Sequence, residues 1–237
     1  MVILTSSWNN YSHFLVEHLT KLVIISHFQE YFQTNEIVLV VENDCPDWKL
    51  DLIAAVSPIK YQILEIDKFT NLKGSYFITT YPSYNFNLLS SARDLIIKHF
   101  EIQPTGKEKR LYLSRKFAKV RRVLNDDEVA RFLSSRGFIV VYPECLTLEQ
   151  QVNLFIDAKI VIGPHGSAFA NTLFCRDVRV IEMFPGKIIN TMFFGLSTVL
   201  DFSYYSMAFD VASPDNGKDS DFFVDLGCLE QQLAMII

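Results

Sequence analysis

Ile160-Val161-Ile162-Gly163-Pro164-His165-Gly166-Ser167 is the stretch that decides the fold. The β-branched residues read as a buried strand, glycine and proline end it, and a short helix is expected from Ser167. A continuously apolar strand that runs into a helix is the unit of a parallel α/β sheet, covered on both faces. In such sheets ligands bind beyond the carboxyl ends of the strands, so the turn is itself a candidate site. Gly163 and Gly166 let the backbone approach a ligand closely. The helix start at Ser167 offers unpaired N–H groups to an anion, and His165 can add a hydrogen bond or a proton to a leaving phosphate.

The same alternation extends to both sides. Upstream lie strand Leu111 to Ser114, helix Asp126 to Arg136, strand Phe138 to Tyr142 and helix Leu148 to Ala158. Asn125-x-x-Glu128 and Thr147-x-x-Gln150 are capping patterns for the two helices. Downstream lie strand Val178 to Met183, helix Asn190 to Leu196, a strand at Phe202 to Tyr205 and a closing helix at Leu226 to Ile236. The first hundred residues alternate as well: helix Ser12 to Phe28, strand Ile37 to Val41, helix Trp48 to Val56, strand Tyr61 to Ile66, a further strand at Tyr76 to Thr79 and helix Leu88 to Phe100. Pro104, Gly106 and the charges of Glu101 to Arg110 mark a linker. The chain therefore reads as two α/β domains, residues 1–103 and 104–237.

Composition narrows the function. With 237 residues, 49% of them hydrophobic, the chain can bury a sizeable core. A formal charge of -5 argues against a general nucleic-acid binder. Cys45, Cys145, Cys175 and Cys228 form no C-x-x-C pair, so free thiols in a reducing cytoplasm are expected rather than zinc. No leader pattern is read in Met1 to Asn10. The apolar run Leu19 to Phe28 is interrupted and shorter than the about 20 residues a span requires, which leaves only peripheral membrane contact.

Two further strand-end loops carry chemistry. Arg115, Lys116, Lys119, Arg121 and Arg122 follow strand Leu111 to Ser114, and a guanidinium can grip two phosphate oxygens at once. The bland alternative is a solvated basic loop. Glu182 ends strand Val178 to Met183, where a carboxylate accepts from ribose hydroxyls or simply orients its loop. Cations, an anion-accepting turn and a carboxylate at three strand ends are what a nucleoside diphosphate needs. Asp219-Ser220-Asp221 matches the D-x-D of metal-dependent transferases, but it lies in a polar turn away from any strand end.

Leu111-Tyr112-Leu113-Ser114-Arg115, Arg121-Arg122-Val123-Leu124-Asn125, Leu148-Glu149-Gln150-Gln151-Val152, Gly163-Pro164-His165-Gly166 and Val180-Ile181-Glu182, in this order and spacing, resemble the glycosyltransferase family 61 domain. Asn9-Asn10-Tyr11-Ser12-His13-Phe14 is similar to that family's Asn-Tyr-x-His-aromatic segment. Gly166-Ser167-Ala168 departs from the more usual Gly-Ala-Gly.

The resemblance implies a GT-B-like fold of two Rossmann-like halves facing a cleft, with a reduced N-terminal half on the acceptor side and the donor held by the C-terminal half. It implies inverting transfer with no metal or other cofactor, from a nucleotide sugar, UDP-linked by expectation, to a glycan, polysaccharide or glycolipid acceptor. The place would be the cytoplasm, at the inner face of the plasma membrane. Arg115, Arg122, His165 and Glu182 become donor-site residues, joined by Lys116, Gly163, Gly166 and Ser167, with Asn125 supporting the loop. His13, oriented by Glu17 four residues on, is the expected base. A sugar-nucleotide epimerase and a non-catalytic nucleotide-sugar-binding subunit are the alternatives.

Overall fold

A computed structural model describes residues 1–5, 10–27, 36–57, 60–67, 69–74, 84–186, 189–212, 217 and 219–237. The chain divides into two compact units, Met1–Gln103 and Pro104–Ile237.

In the first unit, strands β1 (Val2–Ile3), β2 (Glu36–Glu42) and β3 (Lys60–Ile66) form a parallel sheet in the order β1-β2-β3. Between β1 and β2 runs one helical segment: α1 (Tyr11–His13), a π-helical turn (Phe14–His18) and α2 (Thr20–His27). Asn10 starts it by accepting from the His13 amide at 3.2 Å, which satisfies one of the free N–H groups of the first turn. The π turn closes with Leu19 N donating to Phe14 O at 2.9 Å. Helix α3 (Asp47–Val56) links β2 to β3, and α4 (Phe86–His99) follows. The strand expected at Tyr76 to Thr79 and the end of the first helix at Phe28 lie outside the described residues.

The second unit is built on β4 (Lys109–Leu113), β5 (Phe138–Val141), β6 (Ala158–Pro164), β7 (Arg179–Pro185) and β8 (Ser203–Phe209). They form one parallel sheet in the order β5-β4-β6-β7-β8. This Rossmann-like order reverses between β4 and β6, because the chain leaves β4 toward β5 and returns on its other side to form β6. The crevice at that reversal is where open α/β sheets hold their ligands.

Helices α5 (Asp126–Ser134), α6 (Leu148–Phe155), α7 (Met192–Val199) and α8 (Leu226–Ile236) connect or close the strands, and Ser167–Phe174 is a 3-10 helix after β6. Tyr112, Ile160, Ile162, Ile181, Met183 and Phe222 lie in the buried core. The residues expected as a linker are tied to this unit, since Asp157 accepts from the amides of Thr105 and Gly106 at 3.0 and 3.3 Å.

Boundaries shift where local pattern and tertiary packing differ. Helix α6 stops at Phe155, and Ala158, expected in that helix, opens β6. Thr147 and Gln150 form the expected capping box. Asn125 makes no such cap: its amide donates to Val224 O at 2.9 Å and its oxygen accepts from Val224 N at 3.0 Å. The side chain is thereby spent on a tertiary tie.

Candidate functional site

The exit of β4 is fixed from beneath. Tyr112 Oη and Ser114 Oγ donate to the two oxygens of Asp126 at 2.5 and 2.8 Å, so the strand end is bolted to the start of α5. Ser114 Oγ also accepts from the Lys116 amide at 3.1 Å. The chain then turns, with Ala118 N donating to Arg115 O at 3.0 Å. Within this turn the Arg115 side chain folds back and donates to Val120 O from Nε at 3.4 Å and from Nη2 at 3.0 Å.

The guanidinium reaches across the reversal point to Gly166. A methyl group placed on Gly166 would overlap Arg115 Nη1, so only glycine leaves room for the arginine as it lies. Gly163 serves a different closeness: a Cβ there would sit 2.6 Å from Leu113 O, inside the β4–β6 pairing. One glycine lets two strands meet, and the other lets a cation meet the turn. Partial burial, and then the charge of Arg121, lower the Arg115 pKa to about 10, while Glu144, Asp219 and Asp221 act in the opposite sense. A half-desolvated guanidinium is one whose charge an incoming anion would stabilise.

Three other cations of the loop, Lys116, Arg121 and Arg122, are engaged by carboxylates. Lys116 pairs with Asp127 at 2.6 Å, and Arg121 lies 3.7 Å from Asp219. Arg122 meets Asp221 three times: its amide to Oδ1 at 2.8 Å, and Nε and Nη2 to Oδ2 at 2.9 and 2.5 Å. A donor role for Lys116 or Arg122 therefore requires exchanging a carboxylate for a phosphate. The Asp219-Ser220-Asp221 motif supplies arginine counter-ions, and among the described residues no group of three His, Cys, Asp or Glu side chains is placed to hold a metal ion.

His165 and Glu182 are brought together. The His165 amide donates to Met183 O at 2.9 Å, and its ring Nδ1 is hydrogen-bonded to Glu182 Oε1. The ring stacks on Phe184 with centroids 5.3 Å apart and lies 5.7 Å from Phe193. Glu182 is 0% exposed, and its other oxygen accepts from Tyr204 Oη at 2.7 Å. Burial, then the charge of Glu182 and this bond, push the Tyr204 hydroxyl pKa well up. Buried and bonded through both oxygens, Glu182 orients the His165 ring. The carboxylate engages Nδ1, which leaves Nε2 as the ring nitrogen not bonded to it. Ser167 is the first residue of the 3-10 helix and Gly166 its N-cap, without a side-chain cap bond.

The first unit has its own polar cluster at the carboxyl edge of its sheet. His13 Nδ1 is 2.9 Å from Glu17 Oε1, across the π turn. Glu17 is 8% exposed, and its Oε2 has no hydrogen-bond partner among the described residues. His18 is different: it accepts from Lys21 at 3.1 Å, and Lys21 in turn donates to Ile3 O at 2.9 Å. Lys49, wholly buried, pairs with Glu42 at 2.5 Å and lies over the rings of Phe14 and Trp48. His18 and Lys21 meet through i, i+3 spacing on one helical segment, whereas Glu42 and Lys49 escape sequence reading because a strand end and the following helix bring them together.

The family model described as Glycosyltransferase 61 matches residues 11–181. The chain belongs to glycosyltransferase family 61. The match takes in His13, Glu17, the Arg115 loop and the Gly163 to Ser167 turn, and it ends one residue before Glu182. Comparison with curated proteins finds no match. Membership in glycosyltransferase family 61 makes the chain a transferase that moves a sugar from a donor to an acceptor. No helix among the described residues is long and apolar enough to cross a membrane.

Proposed function

We propose that this family 61 member is an inverting, metal-independent transferase that takes a sugar from a nucleotide donor, UDP-linked by preference, to a glycan or polysaccharide acceptor. The observation that carries the donor half is the Arg115 guanidinium lying against Gly166 at the reversal of strand order. There it can grip the diphosphate while backbone N–H groups of the turn beyond Gly166 donate to the same anion. His165, held through Nδ1 by Glu182, hydrogen-bonds the leaving phosphate through Nε2.

In the reaction the acceptor oxygen forms a bond to the anomeric carbon as the bond from that carbon to the phosphate oxygen breaks. His13 takes the hydroxyl proton, steadied by Glu17, and the nucleoside diphosphate leaves with the electron pair. Arg115 neutralises the charge that develops on it, the part a metal plays in other transferases. This reading requires a GT-B-like arrangement in which the two units face a common cleft, and a cytoplasmic enzyme working at the membrane's inner face.

Calorimetry with UDP, GDP, CDP and ADP tests the donor half. Binding of UDP that falls at least tenfold in Arg115→Ala supports it, and an unchanged affinity would sink it. Proton NMR of the anomeric product reads inversion, and turnover in EDTA reads metal independence.

A further inference from the structure

Phe117 is 62% exposed, yet it is not a stray surface residue. Its ring pairs with that of Tyr142, centroids 5.3 Å apart at 49°, so the two form one aromatic surface across the ends of β4 and β5. Phe117 sits inside the turn closed by Arg115 O and Ala118 N. Its Cα is thus at most about 7 Å from that of Arg115. Exposed Glu144 follows β5 two residues after Tyr142 and acts electrostatically on Arg115, and Lys116 acts on Tyr142. On the opposite side of the reversal point the strand end is closed, because Glu182, Met183 and Phe184 are buried. A ligand anchored by its phosphates at Arg115 has open aromatic surface in one direction and packed protein in the other.

We propose that Phe117, backed by Tyr142, is the stacking platform for the donor's nucleobase, with the base directed toward β5. This rests on the donor reading given above and adds the direction of the nucleotide and the residue that holds its base. Every nucleobase presents a flat π-face, and removal of one stacking aromatic typically weakens binding by about tenfold or more. Phosphate affinity, by contrast, belongs to Arg115 and the turn at Gly166.

The test uses the full chain and calorimetric titration with UDP, GDP, CDP, ADP and inorganic pyrophosphate against the unaltered protein, Phe117→Ala and Phe117→Trp. Thermal unfolding confirms that each variant is folded, as the exposure of Phe117 leads one to expect. The expected result is a loss of about tenfold or more in nucleoside-diphosphate affinity for Phe117→Ala, unchanged pyrophosphate binding, and recovery in Phe117→Trp. Equal nucleoside-diphosphate affinity in Phe117→Ala and the unaltered protein would overturn the platform and leave the Arg115 site standing. A protein that binds neither pyrophosphate nor any nucleoside diphosphate would overturn the donor reading and the platform with it.

Discussion

The hydroxyl of Tyr204 donates to Glu182 at 2.7 Å from the neighbouring strand, two positions away from Ser206, the residue that pairs with Glu182 in the β7–β8 register. Glu182 thereby has a donor on each oxygen, Tyr204 on one and His165 on the other. A buried carboxylate held from both sides is a rigid base for a histidine.

Replacement of Glu182 separates orientation from charge. Glu182→Gln keeps an oxygen that can accept from His165 Nδ1, and turnover should fall while KM for the donor changes little. Glu182→Ala leaves Tyr204 and His165 without their partner, and the second unit should lose about 3 kcal/mol of stability together with turnover. Steady-state kinetics beside denaturant unfolding checks both. If the alanine variant is as active as the parent, His165 needs no orienting group.

The two glycines of the turn should fail in different ways. Gly166→Ala displaces the end of a flexible arginine, so the fold should survive while affinity for UDP drops about tenfold. Gly163→Ala drives a methyl against Leu113 O, a backbone atom that cannot swing aside. It should cost about 1–3 kcal/mol of stability. Melting curves with and without UDP distinguish the two.

His13 and His18 should part company as well. His13→Ala should abolish turnover while UDP still binds, and unchanged turnover would remove His13 as the base. His18 has its pKa pushed down to about 4, by burial first and then by Lys21, Lys49 and His13, against an opposing pull from Glu42.

The unfolded value for His18 is about 6.5, so on acidification the unfolded chain takes up the proton first. Its contribution to stability is complete above pH ~6.5 and is lost as the pH falls toward ~4, on the order of 3 kcal/mol at the acid end. Denaturant unfolding at neutral and acid pH should show that slope, and His18→Gln should flatten it.

What the sequence revealed followed the range of the interaction. Thr147 and Gln150 lie three residues apart, so their capping box was readable from spacing alone. His13 and Glu17 are one helical turn apart and were found the same way. The Gly163 to Ser167 turn was legible because glycine and proline punctuate an apolar run. Tyr204 could not be found, since its approach to Glu182 depends on the register of two strands rather than on any motif. The basic loop gave its charges but not their employment: Asp219 and Asp221, far along the chain, already hold Arg121 and Arg122. Asn125 looked like a cap until the 222–224 segment claimed it.

Arg122 and Asp221 are 99 positions apart in the chain, and Val123 bridges to Phe222 beside them. During synthesis the loop that carries Arg115 is complete long before its fastening has been made. At roughly 5–20 residues per second the ribosome needs several seconds or more to add that segment. A nascent chain with its sheet half assembled would thus hold a loose basic loop, fastened only once residues 219–224 had emerged and docked.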